Sequence, residues 1–323
     1  MNFSEITGGL FEGFAMLKSV EQKTTTAGLA YLDITLCDVS GEINAKLWDY
    51  NPAFHGEYES GEIVKVRGSI APYKGVDQMR IERIRKADDN DNLNPSDFVP
   101  SAEYDGEVMY KTIVDMVLGF RNADIRNIVL KIYADRKNEL VYWPAASRMH
   151  HAIRGGLLYH TLSIIRLAER VCEVYPYIDH ELLIAGAALH DIAKIEEFDL
   201  NSSGMVDEYS DKGNLLGHLA MGAMIVEKTA EELGIKGEVP MLLQHLILSH
   251  HGKPEFGAAV RPAIIEAEIL STLDNLDATM YEIAEAMSDV YKGGFTNRIY
   301  GLDNRKFYNH SKELVEVKAN LCE

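Results

Sequence analysis

A chain of 323 residues with 46% apolar composition has more material than one small core needs, which excludes a disordered chain and predicts two domains of ordinary size. Its formal charge of −18 excludes a surface that clings to phosphate backbones throughout, since such affinity rests on Lys and Arg. Cys37, Cys172 and Cys322 are odd in number and form no CxxC pair, which argues against a disulfide framework or a zinc ribbon and fits a reducing compartment.

The opening MNFSEITGGLF lacks the charged-then-apolar pattern of an export signal, and the strongest apolar run, Leu182 to Leu189, is too short to span a bilayer. The expectation is a soluble, cytoplasmic protein with no membrane partner. From about Phe11 to Arg85, apolar residues alternate with polar ones between turn signals, the pattern of short strands. Leu32, Ile34 and Leu36 alternate with Tyr31, Asp33 and Thr35. After the turn Asp38-Val39-Ser40-Gly41, the residues Ile43, Ala45 and Leu47 take one face, and Asn44, Lys46 and Trp48 the other. Two further strands lie around Ile63 to Ile70 and Asp77 to Ile84, with Tyr73-Lys74-Gly75 as the turn between them. Five strands in so short a span predict an OB-like closed barrel over residues 1–87. Tyr31, Lys46 and Trp48 then form an aromatic and basic platform on which nucleic-acid bases can stack, and Tyr73 and Lys74 at the turn are weaker candidates. The alternative for Trp48 is packing against the second domain or a neighbouring subunit. The charge fits this division: ten Lys and Arg stand against twelve Asp and Glu through Lys86, whereas Asp88 to Asp105 holds six carboxylates and no base.

Residues 88–104, rich in Asp, Asn and Pro and without an apolar period, read as an acidic linker. From Asp105 the period becomes helical, with Met109, Ile113, Met116 and Val117 on one face, then Ile125, Ile128, Val129 and Ile132. Further helices are predicted over about Leu157 to Tyr175, His180 to Ala193, Leu215 to Leu233, Pro240 to His250 and Pro262 to Met287, with EEFDLNSSGMVDEYS as a hairpin excursion. The fold class expected is therefore multidomain α+β, a five-stranded barrel followed by an all-α domain over residues 105–323.

Of eleven histidines, five fall where a helical domain can turn them inward: His160 in GGLLYHT, His190 in ALHDIAK, His218 in LLGHLA, and His250 and His251 in LSHHG. Asp191 beside His190 and Asp274 in STLDNLDA join them. Imidazole suits first-row transition metals and carboxylate can bridge two ions, so this set is enough for two metals. On one helix His190 and Asp191 point about 100° apart and reach two sides of a metal centre. Lys194 lies over the same face, where its ammonium can hold a substrate phosphate or remain a solvated helix residue. Asp274 has Ile269, Leu270, Leu273 and Leu276 around it, where an unpaired carboxylate is costly to bury and metal ligation would explain it.

The pattern H…HD…D resembles the HD phosphohydrolase superfamily, and His218 with the His250-His251 doublet resembles its binuclear branch. The runs HHAIRGGLLYHTLS, HDIAK, SHHG and LDNLDA behind an OB-like barrel, with GGFTNRIYGLDNRKFY near the end, resemble the YhaM family of 3′→5′ exoribonucleases. That resemblance implies that His160, His190, Asp191 and Asp274 hold one divalent metal, with Asp191 bridging to a second held by His218, His250 and His251. It implies manganese or cobalt, hydrolysis of single-stranded RNA to 5′-mononucleotides, and a homo-oligomer. Asp191 is then the central catalytic ligand, with Lys194 and Arg154 steadying non-bridging oxygens. His150 and His151 stay open as substrate contacts, and Lys292, Arg298, Arg305 and Lys306 as RNA contacts or oligomer contacts. Two other classes remain: an HD hydrolase of a small nucleotide or cyclic dinucleotide, and a non-catalytic nucleic-acid-binding protein. Single-stranded DNA remains a possible ligand in place of RNA.

Overall fold

The computed structural model describes residues 3, 8–146, 153–310 and 321–322. The chain divides into two compact units, Met1–Ser101 with Leu200–Asp207, and Ala102–Asp199 with Glu208–Glu323.

The first unit is built on strands β1 (Gly9–Thr24), β2 (Ala30–Asp38) and β3 (Gly41–Leu47), a single helical turn α1 (Pro52–His55), and strands β4 (Ile63–Tyr73) and β5 (Val76–Lys86). The strands close a barrel in the order β1-β2-β3-β5-β4, antiparallel except where β3 runs parallel to β5. Long β1 pairs with both β2 and β4, which closes the barrel. Alternation does the sorting: Leu32, Ile34 and Leu36 join Ala45, Leu47, Val64, Val66, Met79 and Ile81 in one buried core. Two turns fix the register. Asp38 accepts hydrogen bonds from the N–H groups of Ser40 and Gly41, and the tight β4–β5 turn puts Lys74 and Gly75 at φ 52° and 85°, as a two-residue hairpin requires. The acidic stretch that reads as a linker is folded through Ser101. Asp88 caps a helical turn, Arg85 grips Asp91 at 2.7 Å, and Phe98 and Val99 are buried.

The second unit is helical: α2 (Gly106–Leu118), α3 (Ala123–Asp135), α4 (Lys137–Leu140), α5 (Gly156–Val174), α6 (His180–Leu189), α7 (Lys194–Glu197), α8 (Asp211–Leu233), α9 (Glu238–Ser249) and α10 (Ile265–Met287). The expected hairpin excursion interrupts it as β6 (Phe198–Leu200) and β7 (Val206–Tyr209). Helix α6 is buried at every position from Leu182 to Leu189, so it runs through the centre, as an all-apolar helix must. The fold is thus α+β, a five-stranded barrel followed by a helical unit. No helix among the described residues is long and apolar enough to cross a membrane.

Candidate metal centre

Helix ends and one kink aim the ligating side chains. His160 lies in the first turns of α5, and His190 and His250 are the C-terminal caps of α6 and α9. The expectation that His190 and Asp191 share one helix is corrected here: α6 stops at Leu189, and Asp191 sits in the turn before α7. That turn frees Asp191 from helical geometry and points it into the cluster. His251 follows the end of α9, where Gly252 at φ 75° breaks the helix. In α8 the backbone leaves helical geometry at Gly217, φ 71° and ψ 159°, a conformation essentially restricted to glycine. The N–H of His218, released by this kink, donates to Glu197 at 3.0 Å.

Two groups of potential ligands result: His160, His190 and Asp191, and His218, His250 and His251. Asp191 stands between them. Its Oδ2 lies 3.3 Å from His190 Nε2 and 3.9 Å from His160 Nε2, while its Oδ1 lies 3.5 Å from His218 Nε2 and 3.6 Å from His250 Nε2. Asp274 joins through His160 Nε2 at 3.1 Å.

The opposite ring nitrogens are already occupied. His190 Nδ1 meets the Ala187 carbonyl at 2.8 Å and His250 Nδ1 the Ile247 carbonyl at 2.7 Å; each carbonyl lies three residues earlier in its own chain segment. His218 Nδ1 meets Glu197 at 2.9 Å, and His160 Nδ1 meets Asp277 at 2.7 Å. Ser163 Oγ donates to the other oxygen of Asp277. In all four rings Nδ1 is engaged and Nε2 is left toward the cluster, the arrangement that fixes the tautomer of a metal-ligating histidine. Glu197 and Asp277 are supporting groups that sequence reading missed. Asp277 had a visible signal in its spacing of three from Asp274, but Glu197 had none.

A divalent metal fits this residue set. Asp191 Oδ1, His218 Nε2 and His251 Nδ1 are buried with no hydrogen-bond partner among the described residues, and unpaired buried polar atoms carry a penalty that a cation would relieve. Charge states agree at Asp191, Asp274, His250 and His251. Burial pushes the Asp191 carboxyl up, but Lys194 and the imidazoles outweigh it and hold it well below the usual carboxylate range. Burial acts likewise on Asp274 and is overcome by the His160 hydrogen bond. Burial, reinforced by neighbouring imidazoles, keeps His250 and His251 neutral. At His160, burial pulls the pKa down, yet Asp274 and Asp277 on either side raise it to about 10.

Lys194 Nζ lies 2.7 Å from Asp191 Oδ2, so its charge faces the carboxylate. Arg154 is not brought into the cluster: its guanidinium stacks 4.8 Å over the Tyr142 ring, and it pairs with no cluster residue among those described. His150 and His151 lie outside the described residues. On the barrel, Tyr31 and Trp48 are neighbours with ring centroids 4.7 Å apart, and Lys46 lies 5.7 Å from the Tyr31 ring. The Lys46 side chain is only 14% exposed and pairs with Asp33, so Arg80, across the β3–β5 ladder from Lys46, is the freer cation of this face. Tyr73 and Lys74 are exposed at the β4–β5 turn, the ammonium 5.5 Å from the ring.

Residues 157–279 match the family model described as HD domain, a span that holds every residue of both ligand groups together with Asp274 and Asp277. A match to the HD domain implies a metal-dependent phosphohydrolase for that stretch. Among solved structures, the chain is similar to replication protein A in a heterotrimer bound to ssDNA, at 17% identity over 26% of this chain and 62% of that one, with a TM-score of 0.22. It is similar to the second OB-fold domain of replication protein A from Methanococcus maripaludis, at 19% identity over 27% of this chain and 94% of that one, with a TM-score of 0.22. A third similarity is to the HD domain of the L. monocytogenes phosphodiesterase PgpH, at 17% identity over 47% of this chain and 73% of that one, with a TM-score of 0.29.

Proposed function

We propose that this chain, an HD phosphohydrolase domain behind a five-stranded barrel, is a metal-dependent 3′→5′ exoribonuclease acting on single-stranded RNA. The observation that carries the reading is Asp191, buried and ionised, with one oxygen turned to each histidine group. A carboxylate so placed would be shared between ions held by the two groups, which would supply charge stabilisation for displacement at phosphorus. The direction of attack from the 3′ end comes from the resemblance to the YhaM family. Mixed imidazole and carboxylate donors admit manganese or cobalt.

Divalent ions bound there supply positive charge to the phosphoryl oxygens and acidify water. The chain's own groups do the rest. Glu197, Asp277 and two backbone carbonyls orient the imidazoles before substrate arrives, so no reorganisation is required during the reaction. Lys194 holds Asp191 ionised. The Tyr31–Trp48 pair offers a stacking surface for bases, worth about 1–3 kcal/mol per base.

A time course with 5′-labelled single-stranded RNA and manganese, comparing wild type with Asp191→Ala, tests the reading. A ladder shortening from the 3′ end in wild type and absent in the variant, with circular dichroism showing the variant folded, is the expected result. Intact RNA in both, together with hydrolysis of a nucleoside phosphate ester by wild type, would move the same centre to a small-nucleotide substrate.

A further inference from the structure

The segment after α10 carries a local excess of basic residues. Residues 290–310 contain four Lys and Arg against one Asp, in a protein of net charge −18. They also expose large aromatic rings: Tyr291 is 80% exposed, Phe295 62% and Tyr300 86%. Lys292, Arg298 and Lys306 are exposed among these rings, and none forms an ion pair with a described residue. Exposed apolar rings grouped in this way mark a binding surface.

The segment is held rigid from within. Bridges at Phe295–Tyr308 and Ile299–Arg305 fold it back on itself. Buried Asn309 closes its base, accepting from the Gly293 N–H at 2.7 Å, donating to the Gly294 carbonyl at 2.9 Å and donating from Nδ2 to the Val290 carbonyl at 2.7 Å. Buried Thr296 accepts at Oγ1 from the Phe307 N–H at 3.0 Å. The backbone is thus satisfied internally while the rings face outward. Between this hairpin and the end of α10 lies a groove of about 770 Å³ lined by Tyr291, Phe295 and Arg298 together with Glu285 and Asp289.

We propose that this hairpin is a second single-stranded nucleic-acid site, separate from the barrel platform and located on the catalytic unit. Phosphates follow the basic edge of Lys292, Arg298 and Lys306. Bases stack on Tyr291, Phe295 and Tyr300, or enter the groove, where the two carboxylates can accept from exocyclic amines. A second protein copy fits less well, because lysine is depleted from protein interfaces and here stands among the exposed rings. Helix α10 carries Asp274, and 13 residues at 1.5 Å each separate that ligand from the helix end at Met287, about 20 Å. The hairpin therefore engages RNA away from the reacting bond, and its contribution grows with strand length.

This inference rests on the reading of the chain as an RNA hydrolase, and its test keeps the two apart. Binding of fluorescein-labelled oligoadenylate of about 20 nucleotides, longer than one site size, is measured by anisotropy in EDTA over a salt series. The full-length protein is compared with the triple variant Lys292→Gln, Arg298→Gln, Lys306→Gln and with Tyr300→Ala. Three lost phosphate contacts flatten the log–log salt dependence by about two, and loss of one stacked base weakens binding by about tenfold. With manganese present, the loss of turnover is greater on the long oligonucleotide than on a trinucleotide. Wild-type binding that neither variant alters overturns the hairpin site alone, and a shift in sedimentation of the variants would then assign the surface to contact between copies. Absence of RNA binding and hydrolysis in the wild type overturns both readings.

Discussion

Glu197 accepts from both the backbone N–H and Nδ1 of His218, and Asp277 meets His160 and Ser163, so two ligands have their rings set by carboxylates that face away from any ion. Glu197→Gln keeps the volume and removes the charge. We expect it to weaken manganese binding by about 10–100-fold while leaving the fold intact, read by calorimetric titration. An unchanged affinity would reduce Glu197 to a packing residue. The seven candidate ligands were legible because histidine is scarce, and the two aspartates among them lie beside a histidine or within an apolar helix. Asp277 was marked only by its spacing from Asp274, and Glu197 by nothing, since acids are plentiful in this chain and the geometry that singles out Glu197 is created by a kink elsewhere.

At the level of elements, that kink at Gly217 decides where His218 points. A non-glycine residue there adopts strained dihedrals costing about 1–3 kcal/mol or pulls the helix straight. Gly217→Ala should therefore lose stability in urea by that amount and also lose metal affinity. A loss of stability without any change in metal dependence would separate the kink from the site. Periodicity located the barrel strands and the amphipathic helices because each buries one face, and α6 stood out as a wholly apolar run, but neither signal carries information on where a backbone stops. The apolar pattern of ALHDIAK runs on through Ile192 and Ala193, yet the helix ends at Leu189. The Asp-rich stretch after Lys86 misled for a related reason: its polar residues cap and pair locally, and among its described side chains only Phe98 and Val99 are buried.

On the scale of the whole molecule, the roles proposed for the barrel and for the helical unit can be separated by experiment. Trp48→Ala should weaken binding of long RNA and spare cleavage of a mononucleotide ester; equal losses on both substrates would remove the barrel from RNA capture. Chelation should abolish hydrolysis and lower the melting temperature, and restoring manganese to 100 times its dissociation constant should return about 2.7 kcal/mol of stability. Scanning fluorimetry with and without EDTA reads this directly, and an unchanged midpoint would argue against tight metal binding by the native chain. Lys194 sets how far that midpoint falls. Its ammonium lies against the carboxylate that both ligand groups share, so the protein has a resident counter-ion for its most deeply buried negative charge. Scarcity of metal should then idle the protein without unravelling it, because Lys194 already holds Asp191 ionised. Lys194→Met would remove that tolerance, making chelation an unfolding event and tying the protein's lifetime to its metal supply.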